Sequence, residues 1–192
     1  METLGKLFGS ANKVKLMRLF VLNPELQVGS AEVAKRARIA SPAAVRELKL
    51  LSSIDLIHKK RKNNAVCWQL NSNFPILNSL KNIIKSKVLD QKRELINQFN
   101  RCGRINLLIA AGALIENPDS RADLLVVGDR VKKGAVDRVV KGLEAEMGCE
   151  LSYAVLETGD FTYRLNASDR FLRDILDYPH EQLVNRIGFA YN

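Results

Sequence analysis

Between Ser30 and Leu70 the apolar residues change their period, and that change limits the folds open to this chain. Behind Gly29-Ser30 as an N-cap, Ala31, Val33 and Ala34 recur at helical spacing as far as about Ala37. A tight connection, Arg38-Ile39-Ala40, leads to Ser41-Pro42. Ser at an N-cap accepts a free amide, and Pro at the next position gives up none that is needed. The helix started there is expected from Pro42 to about Ser53, with Ala44, Leu48 and Leu51 on its inward stripe and Val45 beside them. Of the adjacent Leu50 and Leu51, one must leave that stripe. Asp55 closes the helix at a spot where Gly would more easily supply a left-handed residue. The period then falls to that of a strand. Ile57 begins one, Asn63-Asn64 turn it, and Ala65–Leu70 return. The hairpin tip carries Lys59, Lys60, Arg61 and Lys62. Upstream, the apolar positions of residues 11–22 predict a buried amphipathic helix that Asn23-Pro24 stops.

Charge divides the chain in the same way. Of the 192 residues, 1–104 hold 20 Lys/Arg against 7 Asp/Glu, while 105–192 hold 10 against 14. A basic front half points to a polyanion partner, because each cation set against a phosphate releases a counterion. Hydrophobic content of 46% and charged content of 27% suit packed cores rather than disorder. Cys67, Cys102 and Cys149 are odd in number and far apart, and His58 and His180 stand alone, so neither a disulfide framework nor a metal site is expected. The N-terminal residues mix basic with apolar groups, unlike a signal peptide, and no run is long enough for a membrane span. A cytoplasmic protein without a cofactor is the expectation.

Further along, residues 71–75 read as a linker. Ile76 to about Phe99 is expected to form one long helix, with Leu77, Leu80, Ile83, Ile84, Val88, Leu95, Ile96 and Phe99 as its apolar positions. Strands are expected at Ile105–Ala111, Ala122–Val127 and Leu151–Leu156. Asn117-Pro118-Asp119 should turn between the first two, and a helix from Val131 to Met147, capped by Gly148, should precede the third. A last helical stretch runs from Ser168 to Asp177, before Pro179. The fold class is α+β.

The segment SAEVAKRARIASPAAVRELKLLSSIDLI with its wing HKKRKNNAVCWQL resembles prokaryotic winged helix-turn-helix transcription regulators of the arsenic-repressor-like and multiple-antibiotic-resistance-like kinds, over residues 6–74. Asp55 and the Leu50-Leu51 pair depart from their pattern. The resemblance implies double-stranded DNA as partner. The second helix of such a motif enters the major groove with its N-terminal residues at the base edges. In this chain those are Ser41, Ala43, Arg46, Glu47 and Lys49. Arg46 suits a guanine, Ala43 a thymine methyl, and Lys49 a phosphate. The wing cations Lys59, Lys60, Arg61 and Lys62 would follow the backbone or the minor groove, and Lys13, Lys15, Arg18, Lys35, Arg36 and Arg38 would add positive charge nearby. A homodimer on two half-sites is expected, since one such unit makes few contacts.

The segment INLLIAAGALIENPDSRADLLVVGD resembles the first two strands of nucleotidyltransferases of the DNA polymerase β superfamily, over residues 92–188. Archaeal and bacterial proteins that join a winged helix to this fold are similar to the chain as a whole. That family holds magnesium between two carboxylates spaced two residues apart on a strand, which point the same way. Here Gly112 matches the motif glycine, Ala113 stands for its serine, Arg121 for the first acid, and Asp123 for the second, with Glu150 in the place of the third. The loss of the first acid implies a non-catalytic relative, serving assembly or binding a nucleotide effector through Arg121. Asp123 would then be a structural acid that caps or pairs with Arg121.

The expected organisation is therefore a DNA-binding winged helix over 1–74, a connecting or dimerising helix over 75–104, and an inactive transferase-like domain over 105–192. The alternatives are an active nucleotidyltransferase targeted by the winged helix and an antitoxin-like interaction protein.

Overall fold

The computed structural model describes residues 2–62, 65–84, 88–117, 120–188 and 190. They form two compact units, one of Met1–Ser86 with Gly142–Glu150 and one of Lys87–Lys141 with Leu151–Asn192. In the first, helices α1 (Glu2–Leu7), α2 (Ala11–Val21), α3 (Ser30–Ala37) and α4 (Ser41–Ser53) precede the antiparallel strands β1 (Ile57–Lys62) and β2 (Ala65–Leu70), and α5 (Leu77–Ile84) follows. Ser10 starts α2 by accepting the amide of Lys13. Val28 bridges to Trp68 and adds one rung to the hairpin. The apolar stripes meet in one core: Leu16 and Phe20 of α2, Val33 and Ala37 of α3, Leu48 and Leu51 of α4, and Ile57, Trp68 and Leu70 of the hairpin, closed by Leu80 and Ile84. Leu51 is buried and Leu50 is exposed, so Leu50 is the leucine that leaves the stripe. Asp55 has φ +59°, the left-handed conformation expected at the end of α4.

The second unit begins with a 3-10 turn at Val88–Gln91 and α6 (Lys92–Asn100). Then come β3 (Arg104–Ala110), β4 (Leu124–Asp129), α7 (Lys133–Met147), β5 (Tyr153–Leu156), α8 (Thr158–Asn166), α9 (Arg170–Leu176) and β6 (Glu181–Asn185). The sheet order is β5-β4-β3-β6. The β4–β5 pair is parallel, and the other two pairs are antiparallel. Ile105–Ala110 and Leu124–Val127 are buried throughout, which is why both strands read as unbroken apolar runs. Leu107, Ile109, Leu125 and Val127 pack with Phe161 of α8 and Leu172, Ile175 and Leu176 of α9.

Several expectations are corrected. The single helix expected over 76–99 is two helices, α5 and α6, with a 3-10 turn between. The Ile84 carbonyl accepts from the buried Arg18 guanidinium through Nε, and residues 85–87 lie outside the described residues. The two helices also serve different units. Ser41 is the first helical residue and not the cap, which is Ala40 and makes no side-chain hydrogen bond. Val45 lies on the exposed side of α4. Helix α8 and strand β6 were not expected. The two turns expected at Asn63-Asn64 and Pro118-Asp119 lie outside the described residues.

Candidate nucleic-acid interface

Helix α4 buries Ala44, Leu48 and Leu51, and this stripe decides what faces outward. Ser41, Arg46 and Lys49 are exposed, and Ala43 is half-buried. Glu47 has a partner of its own, because its carboxylate accepts the Ser10 hydroxyl at the start of α2. That bond braces α4 against α2 and leaves Arg46 and Lys49 as the outward charges of the helix. Neither forms an ion pair among the described residues.

The wing is a regular ladder in which Lys59 faces Trp68, Lys60 faces Cys67, and Arg61 faces Val66. Alternation along a strand therefore sends Lys59 and Arg61 to one side and Lys60 to the other. Lys59 lies with its Nζ 5.2 Å from the centre of the Trp68 ring, a cation–π contact. The indole N–H of Trp68 donates to the Ser30 hydroxyl at 2.9 Å, which ties the wing to the start of α3. Lys60 and Arg61 are exposed. The Lys62 side chain lies outside the described residues, though its backbone pairs with Ala65.

Several other cations of this unit have partners within it. Lys13 donates to the Phe8 carbonyl at 2.9 Å. Lys15 pairs with Glu146 at 2.8 Å, and Arg36 pairs with Glu32 at 2.9 Å and with Glu150 at 3.3 Å. Arg18 is 2% exposed; besides Ile84 it reaches the Glu146 carbonyl at 2.8 Å. Burial pushes the Arg18 guanidinium below its ordinary pKa, and the charge of Glu146 opposes that shift. Of the cations expected to surround the DNA site, several are structural. Lys35 is exposed, 4.0 Å from Glu32, while Arg46, Lys49, Lys60 and Arg61 form no ion pair among the described residues.

In the second unit, Asp123 stands just before β4 with both carboxylate oxygens in use. Oδ1 accepts the Ala113 amide at 2.6 Å, and Oδ2 accepts the Ser152 amide at 2.7 Å. Its backbone pairs with Ala111 and Ser152, so this residue fastens the Gly112 turn and the start of β5 to β4. Gly112 has φ +52°, and a Cβ there would strike the Asp123 carboxylate, so glycine is required on two counts. Arg121 does not pair with Asp123; its Nε lies 2.7 Å from Asp174 of α9. Glu150 is exposed and belongs to the first unit, where it meets Arg36. Among the described residues no group of three His, Cys, Asp or Glu side chains is placed to hold a metal ion. No described helix is long and apolar enough to cross a membrane.

A polar cluster at the other end of the sheet has little sequence signal. Asn106 is 6% exposed and sits at a bulge in β3. Its amide donates to Asp129 at 2.9 Å and to the Thr158 hydroxyl at 2.8 Å. Hydrogen bonds from Thr158, then from Asn106, hold the Asp129 carboxyl below its usual range. A lone Asn within the apolar run of 105–110 was the available clue. Ser10, three residues before Lys13, could likewise have been read as a helix cap.

No protein-family model matches the chain, and no curated protein does. Among solved structures, a single-site variant of ZitR from Lactococcus lactis is 24% identical with a TM-score of 0.35, covering 47% of this chain and 62% of that one. The wild-type protein is 24% identical at 0.33, over 45% and 59%. A double variant in apo form is 26% identical at 0.33, over 51% and 78%. The chain thus spans about three fifths of the first of these structures, and similarity at this level decides neither fold nor function.

Proposed function

We propose that the chain is a sequence-specific, DNA-binding transcriptional regulator, dimeric and cytoplasmic. Its first unit is a winged helix. Its second unit is a nucleotidyltransferase-like fold kept for assembly and not for catalysis. The observation that carries the reading is the division of labour among the cations of the first unit. Lys13, Lys15, Arg18 and Arg36 of α2 and α3 have partners within the unit, while Arg46, Lys49, Lys60 and Arg61 face solvent without an ion pair among the described residues. Unpaired cations on a helix and an adjoining hairpin suit duplex phosphates and base edges. Two copies on half-sites about 34–36 Å apart, one helical turn, would supply the affinity that one copy lacks.

Selection of genomic fragments by the purified chain tests this reading and yields the operator. Arg46→Ala is expected to relax sequence preference at one position by about 1–3 kcal/mol. Lys60→Ala with Arg61→Ala should weaken binding to all sequences and flatten the salt dependence by about 0.9 in log–log slope for each phosphate no longer neutralised. Recovery of no fragment at low salt would refute the reading and favour an interaction protein.

For the second unit, the support is the engagement of Asp123 by two amides and of Arg121 by Asp174. A nucleotide phosphate that met Arg121 would have to compete with Asp174. Incubation with labelled nucleotides and magnesium or manganese should give no transfer to DNA, RNA or protein. Transfer that is abolished in Asp123→Asn would establish an enzyme instead.

A further inference from the structure

The second unit carries a basic edge, where β3 begins and β4 ends, that the acidic balance of residues 105–192 conceals. The turn from α6 into β3 reads Arg101-Cys102-Gly103-Arg104, and the end of β4 with the turn into α7 reads Gly128-Asp129-Arg130-Val131-Lys132-Lys133. The fold brings these two segments together. Arg104 is the ladder partner of Asp129, and the Lys132 amide donates to the Cys102 carbonyl at 2.9 Å. A Cβ on Gly103 would lie 2.8 Å from Val131 Cα and 2.9 Å from the Arg130 carbonyl oxygen, so only glycine permits the approach. Arg130 has φ +52° at the bend between them.

Five side chains result, Arg101, Arg104, Arg130, Lys132 and Lys133, all exposed and none in an ion pair among the described residues. The one acid in either segment, Asp129, is held by Asn106 and Thr158, and among the five its charge is felt by Arg104. Like charges gathered on one edge repel one another and weaken the compact state unless a polyanion neutralises them.

We infer that this edge is a second phosphate-binding surface, which grips the backbone of duplex DNA in addition to the site read by α4 and the wing. The inference rests on the reading of the first unit as a duplex binder. Duplex is favoured over single strands because neither segment holds an aromatic side chain on which an unpaired base could stack. Interactions of this kind are independent of sequence and position the protein on its site.

Anisotropy titrations of the full chain across a salt series test it, with a long mixed-sequence DNA duplex and a single-stranded RNA of equal length as probes. Four proteins are compared: the parent, Lys60→Ala with Arg61→Ala, Arg101→Gln with Lys132→Gln and Lys133→Gln, and the two sets combined. The rear set should reduce the duplex salt slope by up to about 2.7, or about 0.9 for each of the three cations removed. The front set should keep residual duplex binding, which the combined protein loses. Rear-set titrations that overlay the parent overturn the inference and leave the reading of the first unit standing. Front-set titrations that overlay the parent, with weakened binding in the rear set, sink the reading of the first unit and overturn the claim that the rear surface is an additional one. A parent that binds no duplex refutes both. Preference for the RNA, abolished in the rear set, overturns the choice of partner. If the rear set shows no melting transition, Lys132→Glu alone is read in the same way.

Discussion

Asp123 is placed by two backbone amides, and its chemistry follows from them. A carboxylate that accepts from Ala113 and Ser152 has its lone pairs directed into the protein's own turns. Asp123→Ala should therefore lower stability by about 1–2 kcal/mol, the usual cost of removing a capping side chain and its charge-assisted bonds. Asp123→Asn, which keeps an acceptor on one oxygen, should lose less. Urea midpoints without metal measure both. An unchanged or raised midpoint for the alanine variant would mean that the acid is held for a ligand at the expense of the fold. The sequence reads Asp123 as an acid that caps or pairs with Arg121, and the spacing of Gly112, Arg121 and Asp123 was legible there. Its true partners were not, because they are main-chain amides that any residue could supply. Glu47 shows the same limit: its helical position suggested DNA, while a serine far back in the chain had already claimed it.

At the scale of elements, the strongest periodicities survived and their continuity did not. The apolar stripe of residues 76–99 is real, but its halves fill different cores. Arg18 takes the Ile84 carbonyl in the last described turn of the first half, and it also takes the Glu146 carbonyl near the end of α7. One buried guanidinium thus satisfies the last turns of two helices, which need donors that the helices cannot supply. Gly148, at φ +78°, leaves the room for Arg18 that any Cβ would fill. Arg18→Met keeps the bulk of the side chain, strands both carbonyls, and removes a buried charge. A loss of about 2–4 kcal/mol is expected from denaturant unfolding, since a buried acceptor left bare costs about 1–3 kcal/mol. A neutral substitution would mean that water or a shifted helix end replaces the arginine at no cost. Elements with weak patterns were missed for a plain reason. β6 is short and polar on the edge of its sheet, and α8 offers only Phe161 and Leu165 as an inward pair.

Across the whole molecule, charge adds little to stability. The ion pairs that are formed lie mostly at exposed or half-exposed side chains, where a pair contributes about 0–1 kcal/mol. The net charge of +9 is uncompensated. If the first unit binds DNA as proposed, added salt should weaken that binding steeply while the melting midpoint stays level or rises, as screening relieves self-repulsion. Parallel scanning fluorimetry and titrations would show it. A midpoint that fell along with binding would place the outward cations in pairs on which the fold depends.

Periodicity and charge by themselves determined the helices α2 to α4, the hairpin, the alternation of strands and helix in the rear half, and the basic character of the front. These are properties of neighbours along the chain, where spacing sets which side chains share a face. Only the tertiary structure decided which cations are free. Whether a lysine or arginine faces water depends on acids and carbonyls that are remote in sequence: Glu146 for Lys15, Ile84 for Arg18, Asp174 for Arg121. The same is true of the convergence at Gly103, where two short basic segments become one surface because a missing Cβ lets their backbones touch.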